Sequence, residues 1–165
     1  MKAEVVAIAT LAADPENARL HNRRNLEAVK ASLARFGQTR PLVVTEDLTV
    51  IAGNGTLAAM VELGWEHAAI TRVPFRDAGE ARAFALADNR TGELAQWNKP
   101  VLLEALEALA LEGWQLDGLG FEPHDMAALK SRERQAPAEF PAYDLDLETE
   151  HRCPECGYEW NGRPE

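Results

Sequence analysis

The sequence predicts an α+β fold: a small mixed β-sheet with packed helices, followed by a helical C-terminal extension. Three observations predict it. Short apolar runs rich in β-formers alternate with segments of helical spacing over the first hundred residues. Helix start and stop signals, Asn or Asp before and Gly after, punctuate the periodic segments. Hydrophobic residues make up 46% of 165, enough to build a core and to argue against wholesale disorder.

Residues 4–11 (EVVAIATL) read as a first strand, and 14–17 (DPEN) as a turn. Residues 22–36 follow with Leu26, Val29, Leu33 and Phe36 on one helical face and Gly37 as the stop. Residues 41–45 (PLVVT) and 48–52 (LTVIA) read as two strands joined through Glu46 and Asp47. After Gly53-Asn54-Gly55, an Ala- and Leu-rich stretch over 56–63 reads as a helix ended by Gly64. A further strand is expected over 67–74, then a long helix over 78–94 capped by Asp77. Asn98 and Pro100 open another helix with Val101, Leu102, Ala105, Leu106 and Leu109 on its apolar face. A last helix is expected over 122–132. Trp65, Phe75, Phe84 and Trp97 read as core residues, and His21 and His67 lack partners at metal or triad spacing. The expected order is β-α-β-β-α-β followed by helices.

The strand ending Val50-Ile51-Ala52 runs straight into Gly53-Asn54-Gly55-Thr56 and a helix. Glycine lets backbone amides approach a ligand, and the first turn of a helix offers unpaired N–H groups and partial positive charge, which suit a phosphate. Thr56 adds a hydroxyl and Asn54 an amide. A strand-to-helix turn that needs glycine for geometry alone would carry the same residues. Later in the chain Asp88, Asn89 and Arg90 crowd one helix end. Asp88 and Asn89 supply oxygens suited to a hard cation such as Mg²⁺, and Arg90 a planar fork of donors suited to phosphate.

Taken in order, these stretches resemble the ParB/sulfiredoxin superfamily, in its ParB-like N-terminal (ParB-like nuclease) domain of phage and plasmid type. The resemblance covers about residues 4–130 and is carried by Asp14-Pro15-Glu16-Asn17-Ala18-Arg19, Phe36-Gly37-Gln38-Thr39-Arg40-Pro41-Leu42-Val43-Val44, Val50-Ile51-Ala52-Gly53-Asn54-Gly55, Leu63-Gly64-Trp65 and Ala87-Asp88-Asn89-Arg90. Leu94-Ala95-Gln96-Trp97-Asn98 and Leu119-Gly120-Phe121 extend it. It implies a ParB-like α/β core over 1–98 and a helical extension over 99–133. It also implies a nucleotide such as CTP or ATP cradled by Gly53, Asn54, Gly55 and Thr56. Mg²⁺ would sit at Asp88 and Asn89, with Arg90 on a phosphate. Gln38, Thr39 and Arg40 would border base or sugar, and Asn17 and Arg19 would close the pocket. Asp88, Asn89 and Arg90 are then the candidate catalytic residues of a Mg²⁺-dependent nuclease or nucleotide hydrolase acting in DNA maintenance or modification. The sequence departs from the family at Thr56, where an Arg usually follows the Gly turn, and no basic residue lies over 57–64. Without a cysteine in the Gly turn, sulfiredoxin chemistry is not expected. Two other readings stay open: a non-catalytic DNA-associated adaptor that docks a protein, and a small-substrate phosphotransferase.

The net charge of −10 is unevenly placed: residues 1–100 carry 12 basic and 12 acidic side chains, residues 101–165 carry 5 and 15. DNA contact is therefore expected from the Arg-bearing segment 19–40, and a protein partner from the acidic back. Residues 134–150, with Pro137 and Pro141 among acids, read as a linker. Residues 151–165 read as a tail resembling a zinc knuckle: Cys153 and Cys156 with His151 as a third ligand, one short of a closed Zn²⁺ site. Two cysteines are too few for a disulfide framework, no apolar run reaches membrane-spanning length, and the N-terminus lacks an apolar signal core. A cytoplasmic protein is expected.

Overall fold

The computed structural model describes residues 2–131 and 151–160. The chain divides into two compact units, Met1–Ser131 and Arg132–Glu165. The expected linker over 134–150 lies outside the described residues, as do Arg132 at the expected end of the last helix and 161–165 of the tail.

The first unit is built on a five-stranded mixed sheet. Its strands are β1 (Ala3–Ala7), β2 (Ala12–Ala13), β3 (Leu42–Val44), β4 (Thr49–Ala52) and β5 (His67–Arg72), in the order β1-β5-β3-β4-β2. β1 is antiparallel to β5 and β3 to β4, whereas β3 runs parallel to β5 and β2 to β4. One sheet face meets α1 (Arg23–Phe36) and α2 (Asn54–Glu62). There Leu33, Leu57, Ala59 and Met60 close over Leu42, Val44, Val50 and Ile70 in one cluster. Fully burying such a side chain contributes about 1.5–3 kcal/mol. Alternation along β4 turns Ile51 to the other face, where it is buried, as is Ala81 of α3 (Ala78–Leu94), the helix packed on β4.

The caps are local. Asn22 accepts from Asn25 N, Asp77 from Glu80 N and Asn98 from Val101 N, opening α1, α3 and α4 (Lys99–Leu111). A short helix α5 (Pro123–Lys130) completes the extension. Arg24 of α1 holds it through Glu122 at 2.7 Å and Asp125 at 2.6 Å. The Glu122 N–H keeps the Asp125 carboxyl below the usual carboxylate range, assisted by His124 and Arg24.

Some boundaries differ from the sequence reading. The expected strand over 4–11 ends at Ala7 and gives way to a 3₁₀ turn over Ile8–Thr10. Ile8 tucks into the core there, and its N–H bonds the Glu66 carbonyl at 2.9 Å. Chain order therefore includes β2, which has no sequence signature: two alanines beside β4. α2 begins at Asn54, not at 56, because Gly53 alone makes the turn. Trp97, expected in the core, is 71% exposed and meets Phe121 edge-on at 6.2 Å.

Candidate anion-binding cleft

Gly53 sits at φ +99°, the left-handed region, and caps α2. A Cβ there would lie 2.6 Å from Leu42 Cδ2. Leu57 N is the amide that bonds the Gly53 carbonyl, so the N–H groups of Asn54, Gly55 and Thr56 precede the helical ladder and point out of its first turn.

Asn54 itself is engaged. Its Oδ1 accepts from Asp14 N at 3.0 Å and its Nδ2 donates to the Val50 carbonyl at 2.8 Å. The side chain thus ties the segment after β2 to β4 and holds the turn, leaving the backbone amide for a ligand. Asn54→Ala leaves two part-buried backbone groups unpaired and is expected to cost about 1–3 kcal/mol of unfolding free energy. Urea denaturation measures it; a variant as stable as the parent would refute the bracing role.

The turn forms one wall of a cleft of about 460 Å³. Asn17, Arg19, His21 and Asn25 line it from the segment before and into α1, and Asp88, Asn89, Gly92 and Glu93 from α3. Asp88 with Gly92, and Asn89 with Glu93, are four residues apart and so share a helix face. Asn89 spends its Nδ2 on the Ala85 carbonyl at 2.9 Å, which leaves Oδ1 as an acceptor. Asn17 braces its own loop through Oδ1 to Arg19 N and Nδ2 to the Arg19 carbonyl, both 3.1 Å.

Of the residues expected at the site, then, Asn17, Arg19, Gly53, Asn54, Gly55, Thr56, Asp88 and Asn89 meet around one space. Gln38, Thr39, Arg40 and Arg90 do not line it. Gln38 is occupied elsewhere, with Oε1 accepting from Ala69 N at 2.7 Å and Nε2 donating to the Ala69 carbonyl at 2.8 Å, an added rung beside β5. Arg90 reaches Glu93 at 3.2 Å.

Sequence reasoning missed His21, Asn25, Gly92 and Glu93 on the cleft, and two of these shape it most. The His21 ring lies over Gly55, where a Cβ would come within 2.5 Å of Cε1, and is held by Nδ1 to Asn25 Oδ1 at 2.7 Å. Glu93 pairs with both Arg19 and Arg90. A glycine in the first turn of a helix signals a close neighbour, though not which one. Glu93 had a local partner in Arg90, three residues before it, but nothing local pointed to Arg19, 74 residues away.

Among the described residues, no group of three or more His, Cys, Asp or Glu side chains is arranged to hold a metal. The cleft thus offers a cation no all-protein cage. Its oxygens on α3 fit the sparser mode of Mg²⁺, which takes one or two carboxylates together with a ligand's phosphates and water. In the second unit the same finding leaves Cys153 and Cys156 without His151, whose ring lies 5.6 Å from that of Trp160. No helix of the described residues is long and apolar enough to cross a membrane.

No protein-family model matches the sequence, and a search of curated proteins found no match. Solved structures do match. The C-terminally truncated chromosome-partitioning protein ParB from Caulobacter crescentus, complexed with CTP-γ-S, superposes with a TM-score of 0.65 at 16% identity, over 78% of this chain and 77% of that one. The same protein complexed to the centromeric parS site gives 0.45 at 17% identity, over 76% and 69%. A pNOB8-like ParB N-domain gives 0.47 at 28% identity over 67% of this chain, which spans 45% of that structure.

Proposed function

This chain has a ParB-like fold, and we propose that on this fold the cleft binds a nucleoside triphosphate by its phosphates, with Mg²⁺. One observation carries the reading: the amide-bearing first turn of α2 faces Arg19, Asp88 and Asn89 across a single cleft. The amides of Asn54, Gly55 and Thr56 suit phosphate oxygens. Arg19 adds a charged donor pair, and Asp88 with Asn89 Oδ1 would hold Mg²⁺ against the same phosphates. A cleft of about 460 Å³ is of the size that takes a small-molecule ligand. The CTP analogue in the Caulobacter ParB structure makes CTP the first nucleotide to test.

Binding without rapid turnover is the expected activity. The turn is followed by no basic side chain over 57–64, so its phosphate contacts come from backbone and from Arg19 across the cleft. Work in phage or plasmid DNA maintenance is the setting that the sequence resemblance favours.

Calorimetric titration with CTP and ATP, with and without Mg²⁺, tests the reading. Saturable binding that tightens with Mg²⁺ is expected. Asp88→Ala should weaken the Mg²⁺-dependent component about tenfold or more, equal to roughly 1.4 kcal/mol, and should not weaken Mg²⁺-free binding, because it also removes a carboxylate that repels phosphate. Failure of both nucleotides to saturate the protein at millimolar concentration would overturn the proposal.

A further inference from the structure

The feature of this chain that the cleft does not use is the hairpin of the second unit. β6 (His151–Arg152) pairs antiparallel with β7 (Glu159–Trp160). Between them Cys153-Pro154-Glu155-Cys156-Gly157 folds into a tight loop. Cys153 N bonds the Tyr158 carbonyl at 2.7 Å, Gly157 N bonds the Cys153 carbonyl at 2.9 Å, and Gly157 takes φ +75°. The backbone N–H groups of Glu155 and Cys156 are directed at the Cys153 sulfur, and the Cys156 thiol lies within hydrogen-bonding reach of it. Both sulfurs are free of disulfide.

Two thiols in one loop are half of what a tetrahedral thiolate site requires. Structural zinc takes four ligands, and two thiolates alone leave the ion open. Among the described residues no third His, Cys, Asp or Glu joins the pair, and the chain has two cysteines in all. Each strand is only two residues long, so a ligand that fixes both would stabilise the loop. An aromatic face stands beside it: Tyr158 is 68% exposed and stacks on Trp160 at 6.2 Å between ring centres.

We propose that two copies of this chain share one Zn²⁺ through Cys153 and Cys156 of each, so that the tail is a metal-dependent dimerisation element. Two identical hairpins supply the four sulfurs that a closed site needs. The pairing is isologous, since each copy gives and receives the same residues.

The test uses the full chain, purified under reducing conditions and loaded with Zn²⁺, with metal content and mass in solution measured together. About one zinc per two chains, a dimer that dissociates on chelation, and loss of both in Cys153→Ser and Cys156→Ser are expected. Cobalt(II) in place of zinc should give the spectrum of a tetrahedral four-thiolate site. One zinc per chain with unchanged mass would overturn the shared site, as would zinc bound with no change in mass on its removal. Absence of zinc binding would overturn it outright. The serine variants leave the nucleotide cleft untouched, so nucleotide titration of the same samples reports on that reading separately.

Discussion

Gly53→Ala is expected to lower the free energy of unfolding by about 2–5 kcal/mol. Two costs add. A residue with a Cβ in the left-handed region loses roughly 1–2 kcal/mol, and Gly53 sits at φ +99°. The new Cβ would also lie 2.6 Å from Leu42 Cδ2, with Leu42 Cα at 3.7 Å behind it. Leu42 is 2% exposed and paired in register with Ile70, so it has no free volume to retreat into. Overpacking of that kind costs about 1–3 kcal/mol. Gly64→Ala is the control: its φ is +72°, but a Cβ there meets nothing within 4 Å. It should lose only the conformational part, about 1–2 kcal/mol. Urea denaturation of both variants separates the two costs. Equal losses at 53 and 64 would mean that the close approach to Leu42 is of no consequence.

The same glycine shows how far this fold was legible beforehand. A strand, a Gly turn and a helix could be read over 48–63, because each depends on neighbours in sequence. So could the caps at Asp77 and Asn98, whose partners lie three residues on. What was not legible depends on chain that returns from afar. Asn54 read as a ligand donor, yet its amide bonds Val50 and Asp14, the latter 40 residues away. The resemblance implies Gln38 at a base or sugar, and in the fold its side chain adds a rung to β5 at Ala69, ahead of the first residue of β3. β2 carries no alternation to detect, since two alanines suffice once β4 is beside them. Trp97 read as core by its size alone, while the segment around it, 91–101, is exposed throughout. The cleft was half legible for the same reason. Its glycine turn and its α3 face are local motifs, whereas His21 and Glu93 enter only through tertiary contact.

Glu93 makes the second large prediction one of sign. Its carboxylate holds Arg19 and also reaches Arg90. A phosphate entering the cleft must take Arg19 from that carboxylate. The exchange is cheap, because the side chains of Arg19 and Glu93 are 43% and 46% exposed, and such pairs are worth about 0–1 kcal/mol. The charge-assisted bond to phosphate gained in return contributes about 1.5–3 kcal/mol. Arg19→Ala should therefore weaken nucleotide binding about 10- to 100-fold. Glu93→Gln should strengthen it about 3- to 10-fold in the absence of Mg²⁺, since it frees Arg19 and removes a charge that repels phosphate. In the double variant the gain at Glu93 should shrink, since part of it acts through the arginine that is no longer there. Raising the salt concentration should narrow all of these differences. Tighter binding by Glu93→Gln together with weaker binding by Arg19→Ala would mark the carboxylate as a stand-in for the ligand's anion. Weaker binding by both would make Glu93 a positioning residue that holds the guanidinium for phosphate, and would refute competition between its carboxylate and the ligand.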